Sequence, residues 1–125
     1  MKPIEVVCGV IWKENRIFIA RKKPEKSLGG YWEFPGGKVE LGENPKHALE
    51  RELKEEIGMD VLIGDLMGQN VHYYNEITIN LIAYKCEFVT ATFQLIDHDE
   101  YDFVPPSELV KFKIAPADLF ILKLI

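Results

Sequence analysis

GKVELGENPKHALERELKEEIGM, residues 37–59, begins in a glycine-rich turn, Pro35-Gly36-Gly37, and continues as a helix. Asn44 suits the N-cap, Pro45 the first helical position and Gly58 the stop. Ala48, Leu49, Leu53 and Ile57 recur at spacings of three and four, so they share one apolar face. Glu52, Glu55 and Glu56 recur at the same spacings and share a second face. That face is costly. The like charges of Glu52 and Glu56, at i,i+4, destabilise a helix by about 0.2–0.5 kcal/mol. Glu55 and Glu56 also sit in the last turn, where the helix dipole disfavours anions. A solvated acidic surface is the plain reading of such a stripe. The sharper one is a seat for a hard divalent cation. Mg²⁺ fits, because it takes oxygen ligands and keeps waters and substrate phosphates in its shell.

The whole stretch resembles the Nudix box: Gly, five residues, Glu, seven residues, Arg-Glu, an aliphatic residue, any residue, Glu-Glu, any residue, Gly, an apolar residue. Gly37, Glu43, Arg51, Glu52, Leu53, Glu55, Glu56, Gly58 and Met59 fill these positions without a departure. The preceding Trp32-Glu33-Phe34-Pro35-Gly36-Gly37-Lys38 resembles the MutT group of that family. Periodicity alone gives an α/β domain with several strands and two main helices. The resemblance implies an α/β/α sandwich with a mixed β-sheet between helices, in a single domain over residues 1–125.

Around this core the chain reads as strands and turns. Ile4 to Trp12 is a β-branched run expected as a buried strand. Lys13-Glu14-Asn15 is a turn, and Arg16 to Arg21 a second strand that closes a hairpin with the first. Lys23 to Gly30 is a loop before the glycine turn. Asp60 to Leu66 is a short strand. Residues 70–74 and 77–88 form a hairpin turning at Asn75-Glu76. Pro105 to Leu109 starts a short helix, and Ala115 to Leu124 is the terminal helix with Pro116 in its first turn. Glu43 and Arg51 are expected to pair and tie the loop to the helix, and Glu50 and Lys54 to form a helix-supporting pair.

Composition narrows the partners. The net charge of −5 gives no general attraction for polyanions. A nucleic-acid polymer is therefore not expected as partner, and an anionic substrate must be captured locally. Cys8 and Cys86 lie in apolar runs without CxxC spacing and read as small core residues in a reducing cytoplasm. No signal peptide or membrane span is expected. The oligomeric expectation is a monomer or weak homodimer.

The resemblance implies a Mg²⁺-dependent nucleoside triphosphate pyrophosphohydrolase, with Mn²⁺ as a possible substitute. Its metal ligands would be the Gly36 carbonyl, Glu52, Glu55, Glu56 and an acid near residue 97. Counting six residues back from Phe103 gives Asp97, with Asp99 or Glu100 as alternatives. Glu52, Glu55 and Glu56 are the catalytic candidates, Glu52 standing first for the general base. Substrate contacts are expected from Arg21, Ser27, Glu33, Phe34, Pro35, Gly36, Lys38 and Asp118. Asp118 also suits a helix start, where an anion is favoured. An ionised carboxylate only accepts hydrogen bonds, so it would meet the two adjacent donors of guanine, N1–H and N2–H. Cytosine would require Asp118 to be protonated. That leans towards guanine and, by the MutT resemblance, towards 8-oxo-dGTP or dGTP cleaved to the monophosphate and pyrophosphate in nucleotide-pool sanitation, a DNA-repair task. The alternatives are a CTP, 5-methyl-dCTP or broad-specificity pyrophosphohydrolase, and a catalytically silent ligand-sensing domain.

Overall fold

Alternation along the first strand places both layers of the molecule. The computed structural model describes residues 2–74 and 76–125. Seven strands form one sheet among the described residues: β1 (Ile4–Lys13), β2 (Arg16–Lys22), β3 (Trp32–Glu33), β4 (Gly36–Lys38), β5 (Met59–Tyr74), β6 (Ile77–Ala91) and β7 (His98–Val104). In β1 the odd-numbered Val7 and Ile11 enter one core, and the even-numbered Cys8 and Val10 enter the other. β2 divides Phe18 and Ala20 from Ile17 and Ile19 in the same way, and β6 divides Ile82, Tyr84 and Cys86 from Leu81 and Ala83. Strands apolar on both faces must be covered on both faces.

The helix α1 (Pro45–Ile57) covers the first face with Ala48, Leu49, Leu53 and Ile57, all fully buried. Its ends follow the sequence reading. The Asn44 side chain accepts from the His47 backbone N–H at 2.9 Å, and Gly58 closes the helix at φ 69°, ψ 38°. Two 3₁₀ segments, Pro106–Lys111 and Pro116–Leu124, cover the second face. The expected terminal helix is therefore tighter than an α-helix. A repeat of three residues places Asp118 and Ile121 together on its buried side.

The sheet order is β3-β2-β1-β6-β5, with β4 beside β1 and β7 beside β2. β1 runs parallel to β6 and antiparallel to β2 and β4, which makes the sheet mixed. Glu14 and Asn15 both adopt positive φ, as a tight two-residue hairpin requires. Yet β1 and β2 pair only at Trp12↔Ile17 and Lys13↔Arg16. Beyond that they part. β1 takes β4 along Val6–Cys8, while β2 takes β3 and β7. The parting makes room for the glycine turn and opens the cleft described below.

Two expectations change. The short strand from Asp60 and the one ending at Tyr74 are a single strand, β5, whose register shifts around Gly64 and Gly68 absorb the irregular pattern. Lys54 turns to Asp60, with Nζ 3.1 Å from Oδ2, instead of pairing with Glu50. Of the expected turn residues, Asn75 lies outside the described residues. Cys8 and Cys86 are buried free thiols, as expected of core residues, and burial pushes Cys86 up to about 12. Among the described residues, no helix is long and apolar enough to cross a membrane.

Candidate active site

A cleft of about 570 Å³ opens between α1, β4, the start of β1 and the terminal 3₁₀ segment. That volume suits a small molecule. Glu52, Glu55, Glu56 and Asp97 lie along it, as do Glu33, Phe34, Gly36, Lys38 and Asp118.

The acidic end is organised by Arg51. Its guanidinium grips both oxygens of Glu43, at 2.7 and 2.9 Å, and donates to the Lys38 carbonyl at 3.1 Å. This fork holds Glu43 down at about 2 and fastens the loop to the helix, as the sequence leads one to expect. Arg51 also approaches Glu55 at 3.1 Å and Glu52 at 3.5 Å, so one cation relieves part of the acidic stripe. Glu56 is not relieved. Its Oε2 is buried without a hydrogen-bond partner, and its carboxyl faces Asp97. Burial, then the contact with Asp97, pushes Glu56 up to about 7. Burial likewise raises Glu52. The backbone arranges the meeting with Asp97, because residues 92–96 run along the end of α1 through Thr92 N–H to Gly58, Gln94 N–H to Ile57 and Ile96 N–H to Glu56. Asp97 also pairs with Lys26 at 3.2 Å.

Gly36 and Gly37 let the strand pass this close. A Cβ on Gly36 would strike the Val7 carbonyl, and one on Gly37 would overlap the Glu52 carboxylate. Gly9 N–H donates to Pro35 and Val39 N–H to Glu5, which makes the odd-numbered residues of β4 the hydrogen-bonded ones. The Gly36 and Lys38 carbonyls then point away from β1. Lys38's is taken by Arg51, and Gly36 lines the cleft. Oxygen donors alone, one of them buried and unpartnered, fit a hard divalent ion. Among the described residues, no three side chains already stand closed to ligand distance.

The other end is assembled through β3. Ala115 N–H donates to the Trp32 carbonyl at 2.8 Å, and Trp32 N–H to the Lys113 carbonyl at 2.8 Å. This lays the terminal segment beside β3, so that Asp118 Oδ2 accepts the Phe34 N–H at 2.8 Å. Asp118 is only 6% exposed. Burial, and then the charge of Glu33, raises its pKa well above the usual carboxylate range. The ionised form on which the guanine argument rests is thus disfavoured. A neutral carboxyl donates once and accepts once. Cytosine would match such a group with N3 and N4–H, and guanine with O6 and N1–H.

Three expected contacts stand apart from the cleft. Arg21 is held outside by Asp99 at 2.8 Å and Glu100 at 3.2 Å, and it is Lys22 that lines the cleft. Asp99 and Glu100 are thereby occupied, whereas Asp97 faces Glu56. The Ser27 hydroxyl is exposed and shares a hydrogen bond of 3.2 Å with the Tyr74 hydroxyl. Pro35 gives its carbonyl to β1. The sequence reading also misses His98, a buried histidine in the cleft wall. The only sequence signal is a lone histidine inside an acidic run.

Comparison with known proteins gives the family. The family described as NUDIX domain matches residues 6–124. A CTP pyrophosphohydrolase of Escherichia coli (strain K12) is 33% identical, over 98% of this chain and 91% of its own. A putative 8-oxo-dGTP diphosphatase 2 of Mycobacterium tuberculosis (strain H37Rv) is 34% identical, over 90% of this chain and 81% of its own. The solution structure of the E. coli ORF135 protein superposes with a TM-score of 0.85 at 32% identity, covering 99% of this chain and 89% of that one. With a full box on its helix and relatives matched along almost its whole length, the chain belongs to the Nudix family as a MutT-type hydrolase of phosphoric anhydrides.

Proposed function

We propose that this protein is a divalent-metal-dependent nucleoside triphosphate pyrophosphohydrolase that releases the monophosphate and pyrophosphate. The observation that carries the reading is one cleft with carboxylates at one end and the Asp118–Phe34 pair at the other. Glu52, Glu55, Glu56, Asp97 and the Gly36 carbonyl would hold Mg²⁺, or Mn²⁺ in its place, which would supply neutralisation of phosphate oxygens and activation of water. Glu52 or Glu56 takes the proton from the attacking water. Lys38 and Lys22 offer charge to the phosphates. Asp118 binds the Watson–Crick edge, with Phe34 and Glu33 beside it.

The first reading of the substrate is 8-oxo-dGTP or dGTP, in keeping with relatives that carry the name 8-oxo-dGTP diphosphatase. The second is a cytidine nucleotide. The raised pKa of Asp118 removes the objection to it, because the argument against cytosine required ionisation, and a neutral carboxyl admits cytosine and guanine alike. A relative named CTP pyrophosphohydrolase, matched over nearly its full length, supports it too. The intact acidic stripe argues against a silent sensing domain, which has no use for it. Location in the cytoplasm and a monomer or weak homodimer complete the proposal. The test is pyrophosphate release with Mg²⁺ from 8-oxo-dGTP, dGTP, dCTP, 5-methyl-dCTP, CTP and dATP, compared by kcat/KM. Preference for 8-oxo-dGTP supports the first reading and preference for cytidine nucleotides the second. No release from any of them overturns both.

A further inference from the structure

His98 is the buried polar group of the cleft for which the chemistry above has no use. It is 4% exposed, and its Nε2 stands 2.8 Å from Oε2 of Glu33. The residues come from different strands, 65 positions apart. A register shift aims the ring inward. Arg21 pairs with Glu100 and Lys22 with His98, so Asp99 is an extra residue that the opposite strand does not match. A bulge of this kind redirects a side chain at the end of a ladder. It turns Asp99 out to Arg21 and His98 in to Glu33.

The donor can be assigned. A carboxylate only accepts, so the Nε2 of His98 carries the hydrogen. The ring's Nδ1 is buried with no hydrogen-bond partner. The Nε2 hydrogen is thus the one the geometry uses, and it is spent on Glu33. Glu33 is 26% exposed at its side chain and lines the same cleft as Asp118. Its backbone neighbour Phe34 holds Asp118 directly.

We propose that His98 is a positioning residue for the base end of the cleft: by donating Nε2–H to Glu33 it fixes that carboxylate beside Asp118, so that an incoming base meets two preset carboxyl groups. This rests on the nucleotide reading of the cleft. Glu33 supplies an acceptor, and Asp118 in its neutral form supplies a donor and an acceptor. Glu33 then suits an exocyclic amino group on the base. Without His98, Glu33 is free to swing into solvent, and the base loses an ordered acceptor before any phosphate chemistry begins.

The test compares His98→Phe, His98→Gln, Glu33→Ala and the double variant His98→Phe/Glu33→Ala. The substrate is whichever nucleotide of the panel the wild type hydrolyses best. A hydrogen bond to a charged group sets the expected size, so His98→Phe raises KM about ten- to a hundredfold while kcat stays within about threefold. The Gln variant, whose amide nitrogen can reach the place of Nε2, restores most of the loss. In the Glu33→Ala background, His98→Phe adds nothing further. A fall in kcat with KM unchanged would overturn the proposal and place His98 at the acidic end, next to Asp97. Additive losses in the double variant would overturn it as well. The ring nitrogen signals of the wild type, read by NMR without substrate, keep the test separate from the nucleotide reading. An Nε2–H tautomer that is lost in Glu33→Ala supports the hydrogen bond even if no nucleotide on the panel is cleaved. An Nδ1–H tautomer refutes it.

Discussion

At the acidic end of the cleft, Gly36, Glu52, Glu55 and Glu56 come from one run of chain, and Asp97 alone is brought from elsewhere. At the base end, Phe34 and Asp118 meet across 84 positions of sequence. The first end is encoded by spacing on a helix, and it is partly solvated: the Glu55 side chain is 56% exposed. The second is built by tertiary packing and is dry, with Asp118 at 6%. An end made locally can lose a functional group without disturbing the fold. An end made by packing cannot, because its polar groups also satisfy the backbone. Substitutions at the acidic end should therefore strike turnover, and substitutions at the base end should strike both binding and stability.

The largest effect is expected from Glu56→Gln. It keeps the shape of the side chain and removes an ionisable group whose Oε2 is buried without a hydrogen-bond partner. Loss of a positioned acid–base or ligand group should lower kcat by about 10²- to 10⁴-fold, with KM little changed and the melting temperature held or raised in EDTA. Steady-state rates with Mg²⁺ and a thermal melt decide it. Full activity in a more stable variant would detach the acidic end from catalysis.

Gly37→Ala comes next. The added methyl group overlaps the carboxylate of Glu52, the far end of a side chain that can swing away. Displacement of a catalytic group by about 1 Å can cost about a hundredfold in rate, while the fold absorbs the change. A variant that unfolds instead would show that the turn is as dependent on packing as the base end.

At the base end, Asp118→Ala leaves the buried Phe34 N–H unmet, a loss of about 1–3 kcal/mol in stability. KM should rise about ten- to a hundredfold by the same loss of a hydrogen-bonded partner. Asp118→Asn is the sharper probe. An amide can accept from Phe34 and still offer a donor, as the neutral carboxyl does. It should keep most of the stability and much of the affinity. If Asn fails as badly as Ala, Asp118 works ionised, and the guanine argument from two adjacent donors returns.

This contrast also explains what was legible in advance. Asn44, Gly58 and the two faces of α1 are readable because capping and a 3.6-residue repeat are local rules. The Glu43–Arg51 tie follows from the same stretch. The inward turn of His98 is not readable, because it depends on an unmatched residue at Asp99 that only the pairing of β2 with β7 reveals. Lys22 instead of Arg21 lines the cleft because adjacent strand residues point to opposite sides, and only the pairing of β2 with its neighbours shows which side faces the cleft. The continuity of β5 was hidden by glycines that read as breaks and act as bulges. The raised pKa of Asp118 comes from burial and then from Glu33, neither of which its neighbours in sequence report.

A smaller effect separates the two ends by pH. Glu56 is raised from 4.5 to about 7 in the folded chain. The folded state then binds that proton more tightly than the unfolded one, so stability is full below 4.5 and is lost as pH rises through about 7. Asp97, held below its usual 3.8, works in the opposite sense and contributes stability that disappears only in stronger acid. The melting temperature in EDTA should fall between pH 4.5 and 7, and Glu56→Gln should flatten that fall. Mg²⁺ should oppose it, because a ligand must first be deprotonated. A slope unchanged in Glu56→Gln would mean that the titrating group lies elsewhere, with Asp118 the first to examine.

The smallest effect is expected at Ser27. It lies on the loop between β2 and β3, exposed, with its hydroxyl engaged by Tyr74. The loop is tied at both ends, by Lys23 N–H to the Asp97 carbonyl at 3.0 Å and by Gly30 N–H to the Lys22 carbonyl at 2.9 Å. Loss of one solvated hydroxyl should change stability by less than about 0.5 kcal/mol and leave KM and kcat where they are. A tenfold rise in KM for Ser27→Ala would carry a particular meaning. The loop would have to leave Tyr74 and fold over the nucleotide, giving the cleft a third wall that is neither the local acidic end nor the packed base end. Because Lys26 on the same loop pairs with Asp97, that movement would connect the two ends, and Lys26→Ala should then raise KM in the same proportion.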